Sequence, residues 1–197
     1  MPRKPRQLVD GGYYHLIARG NNRLYIFNEP EDFIAFKGLL NRCAEKFSHK
    51  LYHYCLMSNH FHLLISIDQG LHLPKMMQFL LYTYSLFYKK KTPYTGHLWE
   101  GRYKSLVVDK ESYMLECGRY IERNPVRAKL CQRPEDYAWS SYPYYAFGNK
   151  DHLITEDPYY ETLASNEKDR MTGYRNFVKI ENPYEGLVDK SLMSRFF

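Results

Sequence analysis

The stretch that decides the fold is residues 50–67, KLYHYCLMSNHFHLLISI. It contains two segments of strand length, 50–57 and 60–67, both rich in aromatic and aliphatic residues. Runs of this kind favour β-strands. Only Ser58 and Asn59 separate the two segments, and a connection of two residues joins antiparallel strands in a tight hairpin. The sequence therefore predicts a β-hairpin here.

The second strand of this hairpin, residues 60–67, has one polar face and one apolar face. Successive side chains on a strand point to opposite sides, so His60 and His62 share a face. The opposite face is an unbroken apolar row, formed by Phe61, Leu63, Ile65 and Ile67. That row must pack against helices, which leaves the two imidazoles on the other face. They belong either to an ordinary solvated polar surface or to a divalent metal site with further ligands from a neighbouring element.

Strand and helix patterns alternate on both sides of the hairpin. We expect a strand over 13–20, a helix from Pro30 toward Phe47, a helix over 73–90, one or two strands within 96–108, and a third helix over 109–124. Pro125 should end this third helix at about Asn124. The order predicts an α+β fold: a ferredoxin-like (split βαβ) antiparallel sheet with helices on one face and an open face that carries the histidines. A loop-rich C-terminal extension follows.

The composition favours a nucleic-acid partner. The chain has 28 Lys and Arg against 22 Asp and Glu, a net charge of +6, and a pI near 9.0. This balance favours a polyanion. Many of the 20 tyrosines adjoin basic residues, as in GRYKS and YSLFYKKK, an arrangement that suits single-stranded nucleic acid because bases stack on aromatic rings. Core packing still accounts for most of the tyrosines.

Nothing in the sequence indicates a membrane segment or secretion. No run of 18 apolar residues occurs, and the first residues lack the apolar core of a signal peptide. The cysteines have no CxxC spacing and are expected to be reduced, which argues against a structural zinc cluster; they are Cys43, Cys55, Cys117 and Cys131. We therefore expect a cytoplasmic protein without membrane contact.

A tyrosine and an asparagine on the predicted third helix could complete the histidine site. Tyr120 and Asn124 are four residues apart and so lie on one stripe of that helix. If this stripe faced the histidines, Asn124 could give an oxygen to a metal ion held by His60 and His62. The metal would polarise a phosphodiester for attack by the Tyr120 hydroxyl. Spacing alone does not single out Tyr120 among the tyrosines.

Four motifs, in this order along the chain, resemble those of a known family. They are MSNHFHLL at 57–64, GHLWEGRYKS at 96–105, YIERNPVRA at 120–128 and PEDYAWSS at 134–141. The set resembles the REP-associated tyrosine transposases, a branch of the single-tyrosine HUH transposases, as does the opening MPRKPR…YYHLIARGNNR. The resemblance runs from residue 1 to about 142. It implies a catalytic domain over 1–147 with a basic N-terminal arm, and leaves the extension, 148–197, without a known role.

The resemblance implies an enzyme that cleaves and rejoins single-stranded DNA at palindromic, hairpin-forming repeats. Tyr120 is implied as the catalytic nucleophile, which retains the 5′ phosphate. His60 and His62 are implied as catalytic ligands of Mg²⁺ or Mn²⁺, and Asn124 as the residue that completes the metal site. ATP is not needed, because the phosphotyrosine bond conserves the energy of the cleaved bond. This branch of the family is expected to act as a monomer rather than a homodimer.

DNA contacts are expected from three places in the chain. They are the arm (Arg3, Lys4 and Arg6), the end of the first strand (Arg19 and Asn22), and the second half of the sheet (Arg102, Tyr103 and Lys104). Arg123 stands where many family members have leucine, and we expect it on the helix surface. Arg127 suits a structural pair at the helix end as well as a DNA contact. His15 could share the histidine face, although a structural or solvated role is favoured for it.

Two alternatives to a strand transferase stay open on the sequence. One is a non-catalytic single-strand-binding module whose tyrosines stack on bases. The other is a metallohydrolase in which His60 and His62, with or without the help of His53, activate water. The first alternative predicts that Tyr120→Phe changes no activity. The second predicts free 5′ phosphate and no protein–DNA link.

Overall fold

Four strands and five α-helices form the fold in the computed structural model, which describes residues 7–108, 112–181 and 185–186. The strands are β1 (Tyr13–Arg19), β2 (His49–Met57), β3 (His60–Ile67) and β4 (Lys104–Val107). The helices are α1 (Pro30–Lys46), α2 (His72–Lys91), α3 (Ser112–Arg127), α4 (Tyr142–Phe147) and α5 (Glu167–Lys179). Among these helices, none is long and apolar enough to cross a membrane. All four cysteines are unpaired thiols, three of them buried.

The strands form one antiparallel sheet in the order β2-β3-β1-β4. The predicted hairpin is confirmed as β2 and β3, with Met57 opposite His60. With α1 between β1 and β2, and α2 between β3 and β4, the topology is the split βαβ arrangement. The predicted α+β, ferredoxin-like fold is therefore confirmed.

Helices α1 and α2 cover the apolar face of the sheet. Phe61 of β3 packs against Phe36 of α1, with ring centroids 4.8 Å apart, and Phe36 in turn contacts Tyr84 of α2 at 5.1 Å. All three side chains are fully buried. The alternating pattern of β3 thus directs its apolar row into the main core, as predicted.

The opposite face of the sheet, which carries the histidines, is covered at its centre by α3. The prediction that this face is open is therefore corrected. Cys117 and Ile121 of α3 pack against Ile17 of β1 and Leu64 of β3, and His62 is only 3% exposed. The physical reason is that α3 is amphipathic and that this face of the sheet is apolar around the histidines. The apolar side of α3 and this face of the sheet therefore bury each other.

A buried charged network fixes α3 to the sheet and to the C-terminal part of the chain. His53 of β2 lies between two carboxylates: its Nδ1 is 2.9 Å from Glu122 Oε1 and its Nε2 is 3.1 Å from Asp157 Oδ2. Ser141 and Tyr174 donate further hydrogen bonds to Glu122, at 2.6 and 2.8 Å. His53 and both carboxylates are fully buried. Buried charges are tolerated when they are paired and hydrogen-bonded in this way.

This network also bears on two sequence-based expectations. Because both ring nitrogens of His53 are occupied by carboxylates, His53 is not placed to help His60 and His62 activate water. The predicted boundary between 147 and 148 stays a prediction about domain organisation. Contacts cross it, since Asp157 and Tyr174 bind residues of β2 and α3.

A glycine allows the close approach of α3 to the sheet. A Cβ added to Gly118 would lie 2.6 Å from two atoms of the His53 ring, closer than van der Waals contact permits. The ring cannot move aside, because both of its nitrogens are engaged. Gly38 in α1 is a helical glycine with open space around its added Cβ. The two positions therefore differ in packing but not in helix propensity.

We expect Gly118→Ala to destabilise the protein and Gly38→Ala to stabilise it. Alanine gains about 1 kcal/mol over glycine in a helix interior, whereas overpacking a core costs about 1–3 kcal/mol. Urea unfolding of the two variants checks this. Equal effects at the two positions would contradict the close approach of α3 at His53.

The His53 network also predicts that stability depends on pH. Burial alone would lower the pKa of His53, but the hydrogen bonds and charges of Asp157 and Glu122 outweigh it and raise that pKa to about 9. Since the folded-state pKa is raised, the stabilisation is complete below about pH 6.5 and is lost as the pH rises through 9. We expect the free energy of unfolding to fall by about 3 kcal/mol over this window.

Urea unfolding at pH 6.5, 8 and 9.5 measures this fall. Asp157→Asn is the matched control, since it removes one carboxylate partner and should make the pH dependence shallower. The same slope in both proteins would show that a group other than His53 is responsible.

Candidate active site

Three histidines from two adjacent strands meet on the face beneath α3. The antiparallel register places Ile17 opposite His62 and Arg19 opposite His60. His15, two residues before Ile17, is therefore the diagonal neighbour of His62 on the same face. The ring atoms His15 Nε2 and His62 Nδ1 are 2.9 Å apart, within hydrogen-bond distance.

His60 and His62, the two histidines of the HxH motif, each have one ring nitrogen that is hydrogen-bonded within the protein. The other ring nitrogen of each is placed to ligate a metal ion. His60 Nδ1 lies 2.6 Å from Asn59 Oδ1, an atom that can only accept, so this nitrogen donates. His62 Nδ1 is bonded to His15. His62 Nε2 is buried and has no hydrogen-bond partner among the described residues. An unpaired buried imidazole nitrogen beside a second histidine is the donor set that a divalent metal ion uses.

The three imidazoles are held in the neutral form. Burial, followed by the charge of Arg19, lowers the pKa of His60 to about 4. Burial and then the neighbouring His60 lower the pKa of His62 well below its ordinary value. Burial lowers the pKa of His15 to about 3. Neutral imidazole is the form that ligates metals.

Tyr120 of α3 lies against two of these histidines. Its ring centroid is 5.7 Å from that of His15 and 5.8 Å from that of His62, both in edge-to-face contact. Tyr120 is 2% exposed. Tyr120 therefore faces His15 and His62, and Asn124 lies one helical turn further along α3.

Asn124 compensates for the proline inside α3. The prediction that this helix ends at about Asn124 is wrong, because α3 continues through Pro125 to Arg127. Pro125 has no N–H to donate to the carbonyl of Ile121. Asn124 Nδ2 donates to that oxygen at 3.3 Å and to the carbonyl oxygen of Tyr120 at 2.8 Å, so the side-chain amide replaces the missing donor. With Nδ2 engaged, Oδ1 is the atom left to ligate a metal.

The candidate metal site is thus built from nitrogen and amide-oxygen ligands. Within the described ranges, no three His, Cys, Asp or Glu side chains are grouped so that they could hold a metal ion. A site formed by His60, His62 and Asn124 leaves coordination positions for water or for substrate oxygens. Such a partial ligand set is typical of sites where a hard cation also binds phosphate.

The expected DNA-binding residues have different fates in the structure. Arg19 and Lys104 lie on the histidine face, since Arg19 is opposite His60 and Lys104 is opposite Ile17. Asn22 and Arg102 are exposed in the segments next to β1 and β4. Tyr103 is not brought to this surface: it is 8% exposed and belongs to the core on the other side of the sheet. Arg3, Lys4 and Arg6 lie outside the described residues.

One cation that the sequence left ambiguous adjoins the candidate nucleophile. The guanidinium carbon of Arg127 lies 4.9 Å from the centroid of the Tyr120 ring, and its Nε is 3.3 Å from Glu185 Oε2. Its charge is also one of the smaller causes that lower the pKa of His62. This position of Arg127 could have been predicted from the sequence. Residues four and seven positions apart lie on the same face of a helix, so Arg127 shares the stripe of Tyr120 and Asn124.

Arg123 does not lie on the helix surface, so that expectation is wrong. It is 6% exposed, and it donates hydrogen bonds to the backbone carbonyls of Val178 and Lys179 at the end of α5. It also forms a salt bridge with Glu185 at 2.7 Å. Arg123 is a buried anchor for the C-terminal segment, because α5 covers the side of α3 that would otherwise face solvent.

Comparison with known proteins connects this geometry with DNA transposition. The family model described as "Transposase IS200 like" matches residues 8–124, more than half of the chain. No curated protein matches the chain.

Two solved structures are similar to this chain. The REP-associated tyrosine transposase bound to a REP hairpin has a TM-score of 0.60 and 13% identity, covering 80% of this chain and 93% of its own. A putative transposase from Deinococcus radiodurans has 23% identity and a TM-score of 0.44, covering 62% of this chain and 97% of its own. The first likeness shows a shared fold, and the family match shows membership. The chain belongs to the IS200-like transposase family.

Proposed function

We propose that this protein is a metal-dependent transposase and endonuclease that cleaves and rejoins single-stranded DNA through a covalent 5′-phosphotyrosine at Tyr120. The observation that carries the proposal is the position of Tyr120. This tyrosine packs against His62, whose Nε2 is buried without a hydrogen-bond partner in the described structure. Of the tyrosines that the structure describes, Tyr120 combines this position with a place in the family-matched region.

His60, His62 and Asn124 would hold the metal ion, Mg²⁺ or Mn²⁺. Three observations support this ligand set. His62 Nε2 has no hydrogen-bond partner among the described residues, and His60 Nδ1 is hydrogen-bonded to Asn59, which leaves Nε2 of His60 for the metal. The amide nitrogen of Asn124 is hydrogen-bonded to the helix backbone, which leaves its Oδ1 for the metal. A bound divalent cation would withdraw charge from a phosphodiester oxygen and position the phosphate. The protein's part is to present the ligands and to hold Tyr120 beside them.

The strand transfer balances without an external energy source. The Tyr120 oxygen forms a bond to phosphorus, and the bond from phosphorus to the 3′ oxygen of the preceding nucleotide breaks. The phenol proton is released to water, and the departing oxygen gains a proton to become a free 3′ hydroxyl. Attack by a different 3′ hydroxyl reverses the step and frees Tyr120, so that one phosphodiester replaces another.

Cations on the histidine face would support this chemistry. Arg127 lies over the Tyr120 ring, where its positive charge would offset negative charge on the tyrosine oxygen during attack. Arg19 lies opposite His60, on the side of the sheet where the phosphate must bind. Further phosphate contacts are proposed for Lys104, Asn22 and Arg102, and for the arm residues Arg3, Lys4 and Arg6.

The proposed substrate is single-stranded DNA with hairpin-forming palindromic repeats. The solved relative of this fold is bound to a REP hairpin, and the net charge of +6 suits such a ligand. We propose that the protein acts on it as a monomer in the cytoplasm, associated with the nucleoid. Because Tyr120 is 2% exposed, the site must open when DNA binds. The same burial is the observation that favours a non-catalytic DNA-binding module as the second candidate.

We expect the wild-type protein to form a covalent DNA adduct and Tyr120→Phe to form none. The substrates are labelled hairpin oligonucleotides with single-stranded flanks, taken from the repeats beside the protein's own gene, with Mg²⁺ or Mn²⁺. Removal of the hydroxyl eliminates the nucleophile and leaves the ring packed against His62. Denaturing gels measure the linked band. Tyr113→Phe, on the same helix, is the matched control and should retain the adduct.

Two results would count against this proposal. Hairpin binding without any linked band in the wild type would favour the binding module. Cleavage that persists in Tyr120→Phe, with free 5′ phosphate, would favour activated water as the nucleophile.

We expect Mn²⁺ to stabilise the wild-type protein against thermal unfolding but not His62→Ala. A ligand at 100 times its dissociation constant stabilises the native state by about 2.7 kcal/mol. The measured quantity is the change in melting temperature when Mn²⁺ is added to each protein, so the lower starting stability of His62→Ala does not matter. His97→Ala removes an exposed histidine and should respond as the wild type does. An equal response of His62→Ala would exclude His62 as a ligand.

A further inference from the structure

We propose that His15 is a positioning residue for His62: it accepts a hydrogen bond from His62 Nδ1 and so turns the lone pair of His62 Nε2 toward the metal site. This inference rests on the proposed metal site. It adds a residue that does not touch the metal and that lies on a different strand from both HxH histidines.

The contact follows from the strand register. Ile17 is opposite His62, and His15 precedes it by two residues, so the two imidazoles are diagonal neighbours on one face. Their centroids are 5.1 Å apart, and the distance from His15 Nε2 to His62 Nδ1 is 2.9 Å. Tyr120 packs edge-on against both rings and restricts their rotation.

A hydrogen bond between two neutral imidazoles admits two tautomeric arrangements. If His62 Nδ1 donates, His62 Nε2 has a lone pair and can ligate a metal. If His15 Nε2 donates instead, the hydrogen of His62 lies on Nε2, and this nitrogen cannot ligate. The direction of one hydrogen bond therefore decides whether His62 can serve as a ligand.

The unpaired nitrogens of this pair argue against simple packing. His15 Nδ1 and His62 Nε2 are both buried without hydrogen-bond partners among the described residues. An unsatisfied buried polar atom is destabilising, and two such atoms in one pair call for a reason. A metal ion at His62 Nε2 would satisfy one of them, and only in the arrangement where His62 donates to His15.

The other HxH histidine has an equivalent partner. His60 Nδ1 is 2.6 Å from the Oδ1 of Asn59, which accepts and so leaves His60 Nε2 with its lone pair. In both histidines the protein occupies Nδ1 and leaves Nε2. Metal-bound histidines commonly have such an outer partner on the second nitrogen, and its loss weakens metal binding by about 10–100-fold. For His62 that partner is another histidine.

The first test reads the tautomer of His62 directly in the metal-free wild-type protein. Long-range ¹H–¹⁵N NMR spectra of the imidazole side chains at pH 7 distinguish a protonated from an unprotonated ring nitrogen. We expect the proton of His62 on Nδ1 and that of His15 also on Nδ1. A proton on His62 Nε2 would overturn the proposal, and this measurement does not depend on whether any variant folds.

The second test measures Mn²⁺ affinity by calorimetry in His15→Phe and His15→Gln. Phenylalanine keeps the ring volume and removes the acceptor, so the dissociation constant should rise by about 10–100-fold. Glutamine can place an acceptor near the position of Nε2, so it should bind Mn²⁺ more tightly than His15→Phe. Equal affinity in His15→Phe and wild type would contradict the positioning role.

The two proposals fail in different ways. If the wild-type protein binds no Mn²⁺, the proposed metal site is wrong, and a role of His15 in serving that site is overturned with it. If the wild type binds Mn²⁺ but His15→Phe binds it equally well, the metal site survives and only the role of His15 is overturned.

Discussion

The packing of Gly118 against the ring of His53 is the contact on which the site depends. The absence of a side chain at Gly118 lets α3 approach the sheet, since an added Cβ would lie 2.6 Å from the ring. Tyr120, two residues further along the helix, then reaches His15 and His62. A wider separation of helix and sheet would leave the two histidines exposed and remove the tyrosine from them. The position of Tyr120 beside the histidines thus depends on the absence of a side chain at Gly118.

The C-terminal part of the chain holds helix α3 in place against the sheet. Glu122 accepts from Ser141 and Tyr174 while pairing with His53, and Asp157 closes the other side of the His53 ring. Removal of one member of a buried charged set leaves an uncompensated charge, which is far more costly than the loss of a surface pair. Residues beyond the family-matched region therefore help to set the position of Tyr120, through α3.

Alternation and spacing predicted much of this arrangement but not all of it. The 50–67 hairpin and the shared face of His60 and His62 follow from the period of a strand, which is a local property. The covering of that face by α3, the buried anchor Arg123 and the core position of Tyr103 depend on contacts between distant segments. Helix α3 continues past Pro125 because the Asn124 side chain donates the hydrogen bond that the proline cannot. The expectation that a proline ends a helix does not take such a side-chain donor into account. The partnership of His15 with His62 required the strand register.

The most direct test of the account is to identify the residue that carries DNA. Wild-type protein is incubated with a hairpin substrate and Mn²⁺, digested with a nuclease and a protease, and the nucleotide-bearing peptide is sequenced by mass spectrometry. The account predicts a nucleotide joined through its 5′ phosphate to Tyr120. A nucleotide on any other tyrosine would contradict it, because Tyr120 is the tyrosine that α3 holds against His15 and His62 in the described part of the chain.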